Sequence, residues 1–488
     1  MKRPLLISLL SAWCWLSVWG AIPIDTVVIK GYAQEYAGIN LILQTVGNPI
    51  SAEKHNLASF QVDEKGNFYH SFLVSEITPA TLDVGRFRGT IYFEPGKSYE
   101  LVLPPFEPRS DADRFNPFFV PENVVIGIAN GDAQQLNNQI RDFQDAFSVR
   151  YDANAFQIFS TGDKQKASSI IHELDSIFPA STGSYFENYK HYTYGQLEFL
   201  SHKRQKKTVM TKFFGNDSVH TQLPAYWETF NLMFKDFFTY YFPTKSGRSL
   251  RNAFREGGNF DTLSLVLSGD PLFAAEEFRE TVLLKGMYDA FYSGRYDDQR
   301  LIDLFHDASE NGCNAQIKTL ARGLHKKVNW LRIGSQAPDF KLYRINGHEK
   351  ALKDYKGQFI YLNFMHTDNH ACMKDLQLLD VISKKMRREV RIVTIIMDEN
   401  PDKAKQIIKK NKYKWEFLHY LAQADIALDY NIKALPTYFL IDPDGILRLS
   451  PAPSPEENFG PLFLEAVRSY RYDQMRKNRP KEKSIYDL

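Results

Sequence analysis

Residues 361–376 read YLNFMHTDNHACMKDL. Tyr361 to Met365 is a short apolar run of strand character, and His366 to Asn369 is a polar loop. From Ala371 onward the apolar residues recur at helical spacing. Cys372 therefore falls in the first turn of a helix, where free backbone N–H groups and the positive end of the dipole favour a thiolate. Asn369 stands three residues before it, at the helix boundary. Asn is among the best N-cap residues, because its side-chain oxygen accepts a hydrogen bond from the N2 or N3 amide. The stretch thus joins a lone cysteine to a capped helix at the end of a strand.

Around it, strands and helices alternate. FIYLNFM (359–365) reads as a strand, ACMKDLQLLDVISKKM (371–386) as a helix and VRIVTIIMD (390–398) as a strand. A helix from about Pro401 to Lys410 and a strand at WEFLHYL (415–421) follow. TYFLIDPDGILRLS (437–450) forms a strand–turn–strand pair, and FGPLFLEAVRSY (459–470) a closing helix. Strands separated by helices predict an α/β domain with parallel elements over residues 333–475.

The 488 residues exceed one ordinary core, so several domains are expected. Lys2 and Arg3 precede an apolar run from Leu5 to Trp19, with a small-residue cleavage point near Gly20 or Ala21. This predicts a secretory signal peptide over residues 1–20, with an uncleaved membrane anchor as the alternative. Trp13 before Cys14 is too large for a lipoprotein signal. The mature chain then keeps Cys313 and Cys372, which fall in different expected domains, so no disulfide framework is expected. The charge balance, 60 Lys and Arg against 58 Asp and Glu, excludes a strong global field of the kind that favours nucleic acid.

Residues 21–125 show short alternating runs bounded by Gly, Pro and Asn, with turns at Asp63–Asn67 and Glu94–Lys97. They predict a β-sandwich. Residues 126–330 turn helical. Leu136, Ile140, Phe143 and Phe147 form one stripe, and Ile170, Leu174 and Ile177 another. The chain's 26 Tyr and 36 Phe concentrate here, in YFENYKHYTYGQLEFL (185–200) and FNLMFKDFFTYYF (230–242). They are read as core filling, the alternative being a ligand groove or partner patch. Residues 476–488 form a basic, solvated tail.

The C-terminal domain resembles the TlpA/ResA-like and AhpC/TSA-like branch of the thioredoxin superfamily, found in bacterial envelopes. Four features carry the resemblance: the opening GSQAPDFKL (334–342), the strand YLNF (361–364), Ala434-Leu435-Pro436-Thr437 as a cis-proline loop, and the hairpin FLIDPDGIL (439–447). The whole order of segments also resembles multi-domain envelope proteins of Bacteroidetes-type bacteria. The resemblance implies a C-x-x-C dithiol whose first thiolate attacks a disulfide and whose second resolves the mixed disulfide. Carried over, the nucleophile position is Asn369, the spacer His370-Ala371, and the resolving position Cys372, with Asp368 at the usual Trp.

The expected function is accordingly that of an exported chain of the periplasm or cell envelope of a Gram-negative bacterium. It would be a degenerate thiol-disulfide oxidoreductase serving as a binding or scaffolding module, its status as an enzyme left open. Leu435, Pro436 and Thr437 would contact an extended envelope protein or peptide partner by β-augmentation. Neither a cofactor nor nucleic acid is expected, and membrane contact only through an uncleaved signal segment. One alternative is a monothiol redox protein using Cys372 for disulfide exchange or peroxide reduction. Another is a copper or zinc module at the loop, with His366, Asp368 and His370 as ligands beside the thiol. Sco-type copper proteins bind metal at this loop, with a distant His; only His419 is offered here from elsewhere.

Overall fold

The computed structural model describes residues 25–477 apart from 111–112, 114–118, 132–134, 181–183, 203–204, 216–218 and 424–425. The expected signal peptide and the tail from residue 478 onward lie outside the described residues. The chain divides into two compact units. The first comprises the described residues of Met1–Glu107, Glu122–Val209 and His220–Thr229, the second those of Pro108–Pro121, Met210–Val219 and Phe230–Leu488.

In the first unit nine strands form two sheets: β1 (Asp25–Tyr32), β2 (Asn40–Asn48), β3 (Glu53–Gln61), β4 (Asn67–Val74), β5 (Thr78–Val84), β6 (Phe87–Phe93), β7 (Ser98–Val102), β8 (Glu122–Val124) and β9 (Gly127–Ile128). Their orders are β4-β1-β7-β9 and β3-β2-β5-β6-β8. Alternation along the strands sends Val27 and Ile29 from one sheet, and Ala80, Leu82 and Val84 from the other, into one shared core. The two turns read from sequence hold. Gly66 and Gly96 have φ of +84° and +75°, and a Cβ on Gly66 would sit 2.7 Å from Gln34 Cα.

Helices Leu136–Ala155, Lys164–Ile177 and Ser184–Ser201 follow in this unit. Leu136, Ile140 and Phe143 are buried, but Phe147 is only half-buried and Ile177 is exposed, so both stripes stop a turn earlier than their spacing implied. Phe143 makes edge contacts with Phe178, Phe186, Tyr189 and Tyr194, so these rings pack on one another. In the second unit Phe214, Phe230, Phe234 and Phe278 form a similar buried cluster. No described helix is long and apolar enough to cross a membrane.

The C-terminal part of the second unit is a seven-stranded sheet with a thioredoxin-like fold. Its strands are β10 (Lys341–Arg344), β11 (Glu349–Ala351), β12 (Phe359–Met365), β13 (Val390–Ile396), β14 (Glu416–His419), β15 (Thr437–Ile441) and β16 (Leu447–Ala452), in the order β11-β10-β14-β13-β12-β15-β16. β12, β13 and β14 run parallel, and β15 runs antiparallel to β12. Every residue of β12 is buried, as a central strand covered on both faces requires. Tyr361 and Met365 point to one face, with the helices His370–Lys385 and Phe459–Lys477; Ile360, Leu362 and Phe364 point to the other. This sandwiching fixes where β12 ends, and the loop His366–Asn369 leaves from that end.

Candidate active site

Asn369 caps the helix His370–Lys385. Its backbone is extended (φ −89°, ψ 118°), and its side-chain oxygen accepts from the Cys372 amide at 3.2 Å. The other end of the same carboxamide donates to the Leu435 carbonyl oxygen at 3.0 Å. Leu435–Pro436 is a cis peptide bond, and Thr437 pairs with Phe364 at the start of β15. One side chain therefore ties the helix start to the loop that the sequence assigned to partner contact. Leu435, Pro436 and Thr437 are each half-buried, with part of their surface open beside the helix start.

Cys372 is 1% exposed and packs with Tyr361, Met365 and Leu376. Burial pushes its thiol up to about 11. Backbone hydrogen bonding at His366 and at Cys372 itself pulls the other way, and the Asp375 and Asp398 charges add to the rise. Burial is the largest of these effects. Cys313, in the helical part, is held up to about 12 by partial burial and the carboxylates of Glu280, Glu276 and Glu277. Both thiols are free.

One turn beyond Cys372, Asp375 is also buried, and its carboxylate accepts from the Tyr438 hydroxyl at 2.7 Å. Burial raises the Asp375 carboxyl above the usual range, against the lowering effect of that hydrogen bond. Tyr438 stacks on Tyr361, whose hydroxyl donates to the Pro453 carbonyl oxygen at 2.6 Å. Cys372 and Asp375 are therefore packed beside aromatic rings.

The metal-ligand grouping differs from the one the sequence suggested. His366 Nδ1 lies 3.9 Å from Asp368 and 4.0 Å from Asp398, and these three alone, among the described residues, offer ligand atoms within 4.8 Å of one another. His370 is exposed and outside the group, so it is replaced by Asp398. The reason is helical geometry: His370 is the first residue of the helix, whereas Asp398 follows the end of β13 by two residues, beside the end of β12. His419 does approach, donating through Nε2 to the Asp398 carbonyl oxygen at 2.7 Å. Both carboxylates already have partners. Asp398 accepts from the Thr367 amide and hydroxyl, and Asp368 pairs with Lys403, which holds its carboxyl below the ordinary range. Sequence reasoning missed Asp398, Asp375 and Tyr438. The one signal for Asp398 was its place at the carboxyl end of a parallel strand, where α/β sheets gather functional groups.

The AhpC/TSA family model matches residues 333–450. A thiol-disulfide oxidoreductase ResA from Bacillus thuringiensis is 31% identical over 134 residues, covering 27% of this chain and 77% of that protein. Thioredoxin-like protein YneN from Bacillus subtilis is 27% identical over 124 residues, covering 25% of this chain and 73% of that protein. A solved thioredoxin domain of a thiol-disulfide oxidoreductase from Bacteroides vulgatus aligns over 28% of this chain and 97% of that chain, at 22% identity and a TM-score of 0.24. The fold and the loop define a module of the thioredoxin superfamily. Through that module the chain belongs to the TlpA/ResA-like family.

Proposed function

We propose that this chain is an exported thioredoxin-like protein whose active-site loop recognises an extended peptide or envelope protein partner and does not run a dithiol cycle. The observation that carries the reading is Asn369, held between the Cys372 amide and the Leu435 carbonyl at the position where the family's C-x-x-C pattern places its nucleophile. A carboxamide neither ionises near neutral pH nor forms a mixed disulfide. Cys372, buried and with its thiol pushed up to about 11, is a poor nucleophile at neutral pH. The ResA relative is named a thiol-disulfide oxidoreductase, which supports reading the loop as a redox site whose nucleophile is replaced here. Support for export is the charged and apolar pattern of residues 1–20.

Partner binding would use the half-buried Leu435–Thr437 edge, where an extended backbone pairs by β-augmentation. The decisive comparison is insulin-disulfide reduction by the wild-type chain and by an Asn369→Cys variant. Activity confined to the variant is the expected result. Wild-type activity matching the variant would show that the loop needs no cysteine at 369, and would end the proposal.

A further inference from the structure

A groove of about 1920 Å³ opens at the pole of the C-terminal sheet remote from the loop. Phe359 and Val390, the first residues of β12 and β13, line it, whereas the loop follows Met365 at the far end of β12. At about 3.3 Å per strand residue the two poles are roughly 20 Å apart. The groove is therefore not part of the site described above.

Its charge is one-sided. Eleven Lys and Arg side chains line it against Asp380, Glu389 and Glu416, in a chain whose overall balance is 60 against 58. Two of the three acids are already engaged, Asp380 by Lys384 at 2.5 Å and Glu416 by Arg344 and Arg391 at 2.5 and 3.3 Å. Arg387, Arg388, Lys412, Lys414, Arg468 and Arg471 are exposed, line the groove and form no ion pair among the described residues. Cations at a helix C-terminus are ordinary, since they offset the negative end of the dipole. That accounts for Lys384 and Lys409, but not for Lys414, or for Arg468 and Arg471 within the helix Phe459–Lys477. Like charges gathered on one concave surface repel one another and destabilise the free protein unless a ligand neutralises them.

Aromatic rings add a second kind of contact. Tyr413, Trp415 and Phe417 line the groove with ring centroids 4.7 and 4.9 Å apart in succession. The indole is fixed by a 3.0 Å hydrogen bond from Nε1 to Thr394 Oγ1. Tyr413 and Trp415 are half-buried, leaving ring surface open in a cationic trough.

We propose that this groove binds an anionic polysaccharide, its acidic groups on the Arg and Lys walls and its sugar rings against Tyr413 and Trp415. Planar guanidinium groups match carboxylate and sulfate oxygens in pairs. A lipid bilayer is flat and does not fill a concave trough, and an acidic peptide brings few rigid rings to the aromatic floor. A single-stranded nucleic acid shares both features. The choice of polysaccharide over nucleic acid rests on the reading of the chain as exported.

The test is binding of the full chain to polygalacturonate, neutral dextran and oligo(dT), each at about 50 and about 300 mM NaCl, where screening separates charge-driven binding from the rest. Polygalacturonate is expected to bind at low salt and to weaken at high salt, with dextran silent. Arg387→Glu/Arg388→Glu/Lys414→Glu is expected to lose at least about ten-fold in affinity, as charge-driven contacts predict. Arg468→Glu/Arg471→Glu, on a separate helix, should do the same, and a far-UV melt of each variant verifies folding. Absence of polygalacturonate binding, binding unaffected in folded variants, equal binding of dextran, or tighter binding of oligo(dT) would each overturn the assignment. Processing of residues 1–20 is read separately, so failure of the export reading is distinguishable from failure of the groove.

Discussion

Asn369 and Leu435, 66 residues apart in sequence, are joined by one hydrogen bond from the Asn369 side-chain amide to the Leu435 carbonyl oxygen, 3.0 Å long. The same side chain caps the helix through the Cys372 amide. A cysteine at this position would make neither contact as well, since sulfur is a weak acceptor and a weak donor. The residue at the proposed nucleophile position thus ties the helix start to the cis-proline loop.

That double role can be measured by urea unfolding. Asn369→Ala should cost about 2 kcal/mol, roughly 1 for the cap and about 1 for the second hydrogen bond. Asn369→Ser keeps the cap but is too short to reach Leu435, so about half of that loss is expected. Equal stability of the Ser variant and wild type would mean that the bond to Leu435 contributes nothing.

Cys372 should be almost inert. With its thiol pushed up to about 11, roughly one molecule in a thousand carries the thiolate at pH 8. In a Cys313→Ser background, alkylation of the folded chain should be at least about a hundred-fold slower than in urea, where a free thiol titrates near 8.5. The folded rate should climb with pH beyond that value. A plateau reached below pH 8.5 would restore the monothiol reading.

Asp375 gives a pH signature. Burial raises its carboxyl in the folded chain above the unfolded value of about 3.9. The folded state therefore holds the proton more tightly, and its contribution is most favourable at low pH. Stability from this group falls as pH rises from the unfolded value through the raised folded one. Asp375→Asn still accepts from the Tyr438 hydroxyl and should remove that decline, leaving the variant at least as stable as wild type at pH 7. Denaturant midpoints from pH 4 to 8 check it; a variant with the wild-type slope would refute the assignment.

The His366–Asp368–Asp398 grouping should hold metal poorly. A cation there would compete with the Lys403 ammonium for the Asp368 carboxylate, and the Asp398 carboxylate already accepts two Thr367 hydrogen bonds. Chain purified without a His-tag should carry less than about 0.1 zinc or copper per molecule by elemental analysis. Stoichiometric metal, lost on His366→Ala, would favour the metal reading.

The sequence alone set the local decisions. Period-two and period-3.6 patterns placed β12, β13, β15 and the helix His370–Lys385 close to where they stand, because a strand buried on both faces and a capped helix leave compositional marks. Asn369 as a cap was legible for the same reason: an N-cap bond spans three residues. Asp398 beside His366, Asp375 under Tyr438, and the trough of cations at the far pole were not. Each joins residues brought together by sheet register and helix packing, and a near-neutral net charge conceals how unevenly charge is spread. The burial of Cys372 was likewise legible only in three dimensions. The sequence supplied a helix N-terminus that lowers a thiol's pKa, and the packing of Tyr361, Met365 and Leu376 supplied the desolvation that raises it further.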